Sequence, residues 1–441
     1  MKKLIILFLS IVNCQLSIVN SKAQTWSTVL TGIFITDSSN NGVVKALAVY
    51  NNELYAGGIF SIAGGDTSAH NILKWNGANW SEAGTGLGII QNGVNGIYAL
   101  TVYNSELYAA GDGFTITTPV RNIVKWNGTL WSVAVPPAPQ SLFDVTLGLY
   151  NGDLVLRSYP ISEWNGTTLT TLGIGFGNIL ALTEFNGELY AGGQISTGMG
   201  DPFNGIAKWN GTIWSRVGSS VFGIDGFVNA LAVYNGNLYA AGAFQHADGV
   251  VTNNIAKWNG TVWAAVGAGV DNFINTLVVY NGALYAGGLF NTAGGNSTNC
   301  VARWNDTTWS AVGTAIGVDS WYRVDALCGY NGYLYAAGFY NTTVSSAPRV
   351  SKWSGPLGIA EPSPKAILNL YPNPAKENLT LTLNTAESGT AALHNLLGAT
   401  VQQCKVSPGN NILPVAALPA GVYFLTVKTA QTVETRKIIK E

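Results

Sequence analysis

Two short landmarks recur along most of this chain, and together they leave few architectures open. The first is an aromatic residue followed by Asn, at Tyr50, Tyr103, Tyr150, Phe185, Tyr234, Tyr280 and Tyr330. The second is the Trp of a Lys-Trp-Asn-Gly-like motif, at Trp75, Trp126, Trp164, Trp209, Trp258, Trp304 and Trp353. Each occurs seven times, mostly at intervals of about 45–53 residues, with one short unit of 35 between Tyr150 and Phe185. A period of this size marks an array whose neighbouring units complete one another's core.

The fifth unit shows the internal grammar. Residues 229–234 form a β-rich run ended by Asn235-Gly236. Residues 238–244 follow, then a loop over 245–252 and a second run over 254–258. Asn259-Gly260 then turns into residues 262–266. Asn-Gly between two apolar runs signals a tight hairpin, because a type I′ turn needs positive φ at both central positions. Each unit therefore predicts four short antiparallel strands, a to d, which is the pattern of a propeller blade.

The ends of the array fit together. Thr25-Trp26-Ser27 matches the d strands at Trp80, Trp131, Trp214, Trp263 and Trp309, with Leu169 as the degenerate member. The last unit reaches its c strand at Trp353 and has no d strand of its own. Seven blades result if Trp26 completes the last one, and that closure removes the sheet edge an open array would present. The recurring Trp residues are expected to wedge between blades. Before each c-strand Trp stands Lys74, Lys125, Glu163, Lys208, Lys257, Arg303 or Lys352. These are expected to be solvated heads on packed stems rather than an anion-binding ring, since Glu163 interrupts the series.

Composition adds limits. Charged residues are 10% and hydrophobic residues 47% of the chain, so it is not of the disordered class. A net charge of -1 gives no electrostatic case for nucleic acid or an anionic membrane. Lys2 and Lys3 precede an apolar run over residues 4–12, and Ser21-Lys22-Ala23 precedes Gln24. This predicts a secretory signal peptide over residues 1–23, cleaved after Ala23. Asn13 stands against lipid attachment at Cys14, and no later stretch predicts a transmembrane helix. Cys300, Cys328 and Cys404 remain after the leader, an odd number that implies no disulfide framework. Cys300 and Cys328 are expected to be small buried hydrophobes, with one bridge between them left open.

The Leu-Tyr-Ala-Gly-Gly-Xaa-Phe and Lys-Trp-Asn-Gly pattern resembles kelch-type, galactose-oxidase-like β-propeller repeats over residues 24–357. The resemblance implies the fold and not an activity. After a linker at 358–366 the texture changes, and alternating runs predict a small immunoglobulin-like β-sandwich over 367–441. Its landmarks are Tyr371-Pro372-Asn373-Pro374, Gly398, Gly421 with Tyr423, and Lys437 in the closing Lys-Ile-Ile-Lys. In this order they resemble the type A sorting domain of the Bacteroidetes type IX secretion system. The resemblance implies export through the periplasm to the outer-membrane cell surface, with the secretion machinery as partner.

The chain is poor in convergent ionisable groups. Its three His are His70, His246 and His394, and no HExxH, paired CxxC or Gly-x-Ser-x-Gly element is present. Neither a catalytic set nor a metal or cofactor is expected. The b–c loops and d–a connections of a propeller share one face, where ligands are commonly bound. Candidate binding residues there are Asp66 and His70 in blade 1, His246 and Asp248 in blade 5, and Trp321, Tyr322 and Arg323 before blade 7. The expectation is a monomeric, secreted or surface-displayed binding module for a glycan or protein. An extracellular enzyme acting on polysaccharide and a structural surface or matrix protein are the alternatives.

Overall fold

The structure is a computed structural model of the 441-residue chain. It describes residues 26–30, 42–60, 71–84, 87, 96–114, 121–134, 146–157, 161–173, 177–195, 205–218, 223–313, 316, 322–342, 345–353, 355, 368–371, 375–383, 388–395, 400–429 and 433–440. The expected leader and linker lie outside these residues. The chain divides into two compact units, Met1–Gly358 and Ile359–Glu441.

The first unit holds seven four-stranded antiparallel sheets among its described residues. In the fifth, strand a is Phe227–Tyr234, b is Asn237–Ala243, c is Ile255–Trp258 and d is Trp263–Ala265. The seven a strands are Val43–Tyr50, Ile97–Tyr103, Leu147–Tyr150, Asn178–Phe185, Phe227–Tyr234, Ile274–Tyr280 and Arg323–Tyr330. Each a strand lies beside the a strand of the next sheet, and the last lies beside the first. The sheets are thus blades of a β-propeller with strand a innermost. The short repeat is a reduced blade, in which a is Leu147–Tyr150 and c is only Ser162–Trp164.

Asn side chains set the turns. Every a–b turn holds two residues at positive φ, such as Asn235 at 45° and Gly236 at 71°. Blades 1 and 2 fill the second place with Asn52 and Ser105, so the turn geometry persists without glycine. In the c–d turns the Asn259 carboxamide accepts the N–H groups of Thr261 and Val262, both at 2.9 Å. Asn76, Asn127, Asn165, Asn210 and Asn305 do the same in their own blades.

Trp26–Leu30 is the fourth strand of the last sheet, and Trp26 stands opposite Trp353 as Trp263 stands opposite Trp258. The c and d indoles of one blade pack together, with ring centroids 5.3 Å apart for Trp258 and Trp263. The d-strand indole also reaches the preceding blade. Trp131 Nε1 donates to the Ala83 carbonyl at 2.6 Å, Trp214 to Leu172 at 2.7 Å, Trp263 to Val217 at 3.2 Å and Trp309 to Val266 at 2.9 Å. Trp26 donates to Val312 at 2.7 Å, and Trp80 donates to Val29 at 2.9 Å. The N-terminal strand is therefore fastened on both sides. Blade 3 has Leu169 at this place, with no N–H to offer.

A tyrosine layer lies further in. The hydroxyls of Tyr234 and Tyr330 donate to the Gly282 and Asn52 carbonyls of the next blade, at 3.1 and 2.9 Å. The b-strand hydroxyls of Tyr55, Tyr190, Tyr239 and Tyr335 face the c-strand indoles Trp126, Trp258, Trp304 and Trp75. Those indole N–H groups do not reach full hydrogen-bond geometry there. Burial dominates and pushes these four phenols up to about 12.

The second unit packs two sheets around one core. One is Leu368–Tyr371, Asn378–Leu383 and Gly409–Pro414, and the other is Thr400–Val406, Gly389–His394, Gly421–Lys428 and Val433–Lys440. Leu379, Leu381, Leu383 and Leu413 from the first sheet meet Leu393, Tyr423, Leu425, Val427 and Ile438 from the second. Alternation of buried and outward residues places these side chains on the inner faces.

Two outcomes are expected. Trp26→Phe keeps the ring in place but leaves the Val312 carbonyl without its donor, and should lower stability by about 1–3 kcal/mol in chemical denaturation. Ser27→Ala, at an exposed site of the same strand, should change stability by less than about 0.5 kcal/mol. Equal effects would mean that the indole bond does not hold the closure. The second outcome concerns alkaline pH. The buried phenols have folded-state pKa values above the ordinary phenol value of 10.0. Their contribution to stability is whole below that value and is lost as pH rises toward about 12. The share of the tyrosinate absorbance that comes from these buried phenols should therefore appear together with unfolding rather than ahead of it.

Candidate functional site

Asp66, His70 and Trp321 lie outside the described residues. His246 and Asp248 sit in a two-stranded hairpin of the blade 5 b–c loop, where His246–Ala247 pairs with Val250–Val251. Asp248 and Gly249 are its turn, at φ 52° and 84°, so Asp248 serves the hairpin backbone. The anchor is Asp225, in the connection leading to strand a. Its Oδ1 accepts the N–H groups of Gln245 and His246, both at 2.8 Å. Its Oδ2 lies 2.6 Å from His246 Nδ1. Burial raises the Asp225 pKa, but these backbone and imidazole contacts outweigh it and hold the carboxyl below its ordinary value.

Blade 6 repeats the clasp without the imidazole. Asp271 Oδ1 accepts the N–H groups of Asn291 and Thr292 at 2.9 and 3.0 Å, and Gly294-Gly295 makes the turn. Neither Asp225 nor Asp271 stood out in the sequence. The signal was the heptapeptide pattern shared by residues 223–229 and 269–275, Gly-Ile/Val-Asp-x-Phe-Val/Ile-Asn.

That pattern ends on a more informative feature. In six blades strand a slips register at the same place, between Val44 and Ala46, Ile97 and Ala99, Ile179 and Ala181, Val228 and Ala230, Ile274 and Thr276, and Val324 and Ala326. A bulge inserts one residue and re-aims its side chain. The inserted residues are Lys45, Tyr98, Leu180, Asn229, Asn275 and Asp325. Asn229 Nδ2 donates to the Ile274 carbonyl at 3.0 Å, and Asn275 Nδ2 to the Val324 carbonyl and Asp325 Oδ1, both at 3.3 Å. Asp325 also takes Lys45 Nζ at 3.3 Å and Arg323 Nε at 3.1 Å. A polar belt thus runs across the a strands of blades 5, 6, 7 and 1. Its one carboxylate, only 8% exposed, is shared by two cations.

Immediately before the bulge pairs stand Val43 in blade 1, Gly96 in blade 2, Asn178 in blade 4, Phe227 in blade 5, Phe273 in blade 6 and Arg323 in blade 7. Phe227, the first residue of its strand a, and Phe273, the residue just before its own, are 46% and 49% exposed and are the two aromatic side chains at this rim position. The two phenylalanines occupy matching positions on adjacent blades, beside the two Asn carboxamides. Arg323, expected in the connection before blade 7, is instead the first residue of that blade's strand a. Tyr322 is half-buried instead, its ring 6.0 Å from that of Phe339.

The remaining candidates are spent on structure. Cys300, Cys328 and Cys404 are unpaired. The Cys300 thiol donates to the Tyr322 carbonyl at 3.3 Å, in the place where Asn254 bridges Phe244 and Val270. Burial pushes Cys300 and Cys328 up to about 12, so neither is a nucleophile near neutrality. The basic residues before the c-strand Trp do not form a free cationic ring. Lys74, Lys125 and Lys208 pair with Glu53, Glu106 and Glu188 at 3.0, 2.7 and 2.9 Å, and Lys352 lies over the Tyr333 ring. In blade 3 Glu163 takes the basic position, and burial and then the Asp153 charge raise its pKa. Among the described residues no group of three or more His, Cys, Asp or Glu is placed to hold a metal ion.

Residues 369–441 match the secretion system C-terminal sorting domain family. No curated protein matches the chain. Among solved structures, the extracellular domain of BT4673 from B. thetaiotaomicron is similar at 12% identity and a TM-score of 0.45, over 95% of this chain. The chain spans 59% of that structure's length. The β-propeller domain of the Trilobed protease from Pyrococcus furiosus is 9% identical with a TM-score of 0.41, over 72% of this chain and 96% of its own. PorZ, a surface component of the type IX secretion system of Porphyromonas gingivalis, is 10% identical with a TM-score of 0.29, over 90% of this chain and 75% of its own.

In the sorting unit, Gly421 opens the strand that carries Tyr423 into the core, and Tyr423 donates to the Pro419 carbonyl at 2.9 Å. Tyr371 and Lys437 lie in its first and last strands. Pro372, Asn373, Pro374 and Gly398 lie outside the described residues. Replacing residues 437–441 should leave the protein in the periplasm, as read by cell fractionation, while surface labelling is lost. Unchanged surface labelling would remove the export role of this segment. No helix among the described residues is long and apolar enough to cross a membrane. The C-terminal unit is a type IX sorting domain, and it directs this β-propeller chain to the cell surface or beyond.

Proposed function

We propose that the chain is a monomeric, seven-bladed, kelch-type propeller that binds glycans at the cell surface. In this reading residues 1–23 are a leader removed on export, 24–357 bind, 358–366 link, and 367–441 engage the secretion machinery. The observation that carries the proposal is the pair Phe227 and Phe273, half-exposed where the innermost strands of adjacent blades begin, two residues before Asn229 and Asn275. An exposed aromatic face stacks on the C–H face of a pyranose ring, and neighbouring carboxamides fix its hydroxyls.

Binding fits this surface better than hydrolysis does. Its described carboxylates are already engaged. Asp225 and Asp271 clasp hairpin backbones, and Asp325 holds Lys45, Arg323 and Asn275. A glycosidase needs two carboxyl groups free to face one bond.

The test is a glycan array and calorimetry with the full chain and with Phe227→Ala/Phe273→Ala. The double variant should lose at least about tenfold in affinity, corresponding to about 1.4 kcal/mol. It should melt close to the parent, because about half of each ring already faces solvent. A parent chain that binds no glycan would refute the proposal, and so would a double variant that binds as well as the parent.

A further inference from the structure

We infer that the ligand is an anionic oligosaccharide bound in one direction, with sugar faces on blades 5 and 6 and its carboxylate or sulfate group over blades 7 and 1. The inference rests on the glycan reading of this rim and adds a charge class and a polarity to it.

The argument starts from the change of residue type around a repeated position. The rim position holds Phe227 and Phe273 in blades 5 and 6, then Arg323 in blade 7 and Val43 in blade 1. The bulge position behind it holds Asn229, Asn275, Asp325 and Lys45 in the same order. One arc of the rim is therefore aromatic with neutral amides, and the next is ionic. A ligand long enough to span four blades meets both.

The ionic arc has an excess of positive charge. Asp325 is nearly enclosed, and Arg323 and Lys45 both turn to it. Among the described residues, two cations against one carboxylate leave one unit of positive charge, carried by side chains that stay 36% and 27% exposed. Neither cation has exhausted its donors. Arg323 reaches Asp325 through Nε, and its terminal N–H groups meet no acceptor among the described residues. Lys45 uses one of three ammonium protons on Asp325. A guanidinium with its outer edge free suits a bidentate carboxylate or sulfate.

Among the described residues, the aromatic arc holds the opposite sign. Asp225 and Asp271 lie in the connections leading into blades 5 and 6. Asp225 faces the His246 ring and two backbone N–H groups, whereas Asp271 contacts backbone N–H groups. An anionic group over this arc would meet like charge, while a neutral pyranose face would not. Charge and stacking therefore select the same orientation.

The experiment compares matched ligands on the full chain by calorimetry. One pair is an oligogalacturonate and its carboxyl-reduced counterpart. The other is a carrageenan oligosaccharide and its desulfated counterpart. An anionic member should bind at least about tenfold more tightly than its neutral partner, with affinity falling as salt rises. The pair that shows the difference identifies carboxylate or sulfate. Arg323→Gln should remove that preference, Arg323→Lys should restore part of it, and Phe227→Ala should weaken both members alike. Thermal melting of each variant checks that Asp325 is still accommodated. Equal affinity for charged and neutral partners, or a preference that survives Arg323→Gln in a folded variant, would overturn the inference and leave the glycan reading standing. Neutral glycans alone binding would do the same. No binding to any glycan would remove both.

Discussion

The indole N–H of the d-strand tryptophan is the bond on which the ring depends. A blade has a hydrophobic face on each side, and burial alone would let neighbouring blades slide past one another. The Trp131 bond to Ala83 and its counterparts fix the register of each blade against the last at a buried point where no water competes. The same side chain stacks on the c-strand indole of its own blade, so one residue sets both the fold of a sheet and its docking. Blade 3, which has Leu169 there, is also the shortest blade, with three residues in its c and d strands.

The blade plan was legible in the sequence because each of its parts has a local chemical cause. Asn235-Gly236 adopts the two positive φ values that such a pair favours, and Asn259 caps its turn by accepting two N–H groups. Trp26 could be matched to Trp353 because a d strand was missing at one end and supplied at the other. In the second unit Thr400–Val406 and Gly409–Pro414 escaped notice, since Gln402, Gln403, Asn410 and Asn411 interrupt the apolar pattern at edges of the sheets.

The candidate surface was legible only in part. His246 and Arg323 were singled out because each departs from the repeat, but their partners Asp225 and Asp325 were not. Asp325 reads as one more polar residue in an alternating strand until the bulge is known, and a bulge has no reliable signature in sequence. The same holds for Phe227 and Phe273. In a chain with 15 Phe, 19 Tyr and 14 Trp, two more aromatic residues at strand entries look like core. Only the geometry shows that these two face solvent, while Tyr322, which looked like a binding residue, packs on Phe339.

The clasp made by Trp26–Leu30 has a consequence for how the molecule comes into being. Its partner strand ends at Trp353, so this contact spans nearly the whole first unit. Contacts that distant in sequence form late, because the entropy of closing so long a loop must be met first. Until the two ends meet, the last blade is a three-stranded sheet with the edge at Lys352 unpaired. Such an edge accepts any strand of the right pattern, and the first strand of a second copy has that pattern by construction. The arrangement that makes the finished ring free of edges therefore makes dilution and isolation of each chain, during its passage out of the cell, a condition for reaching it.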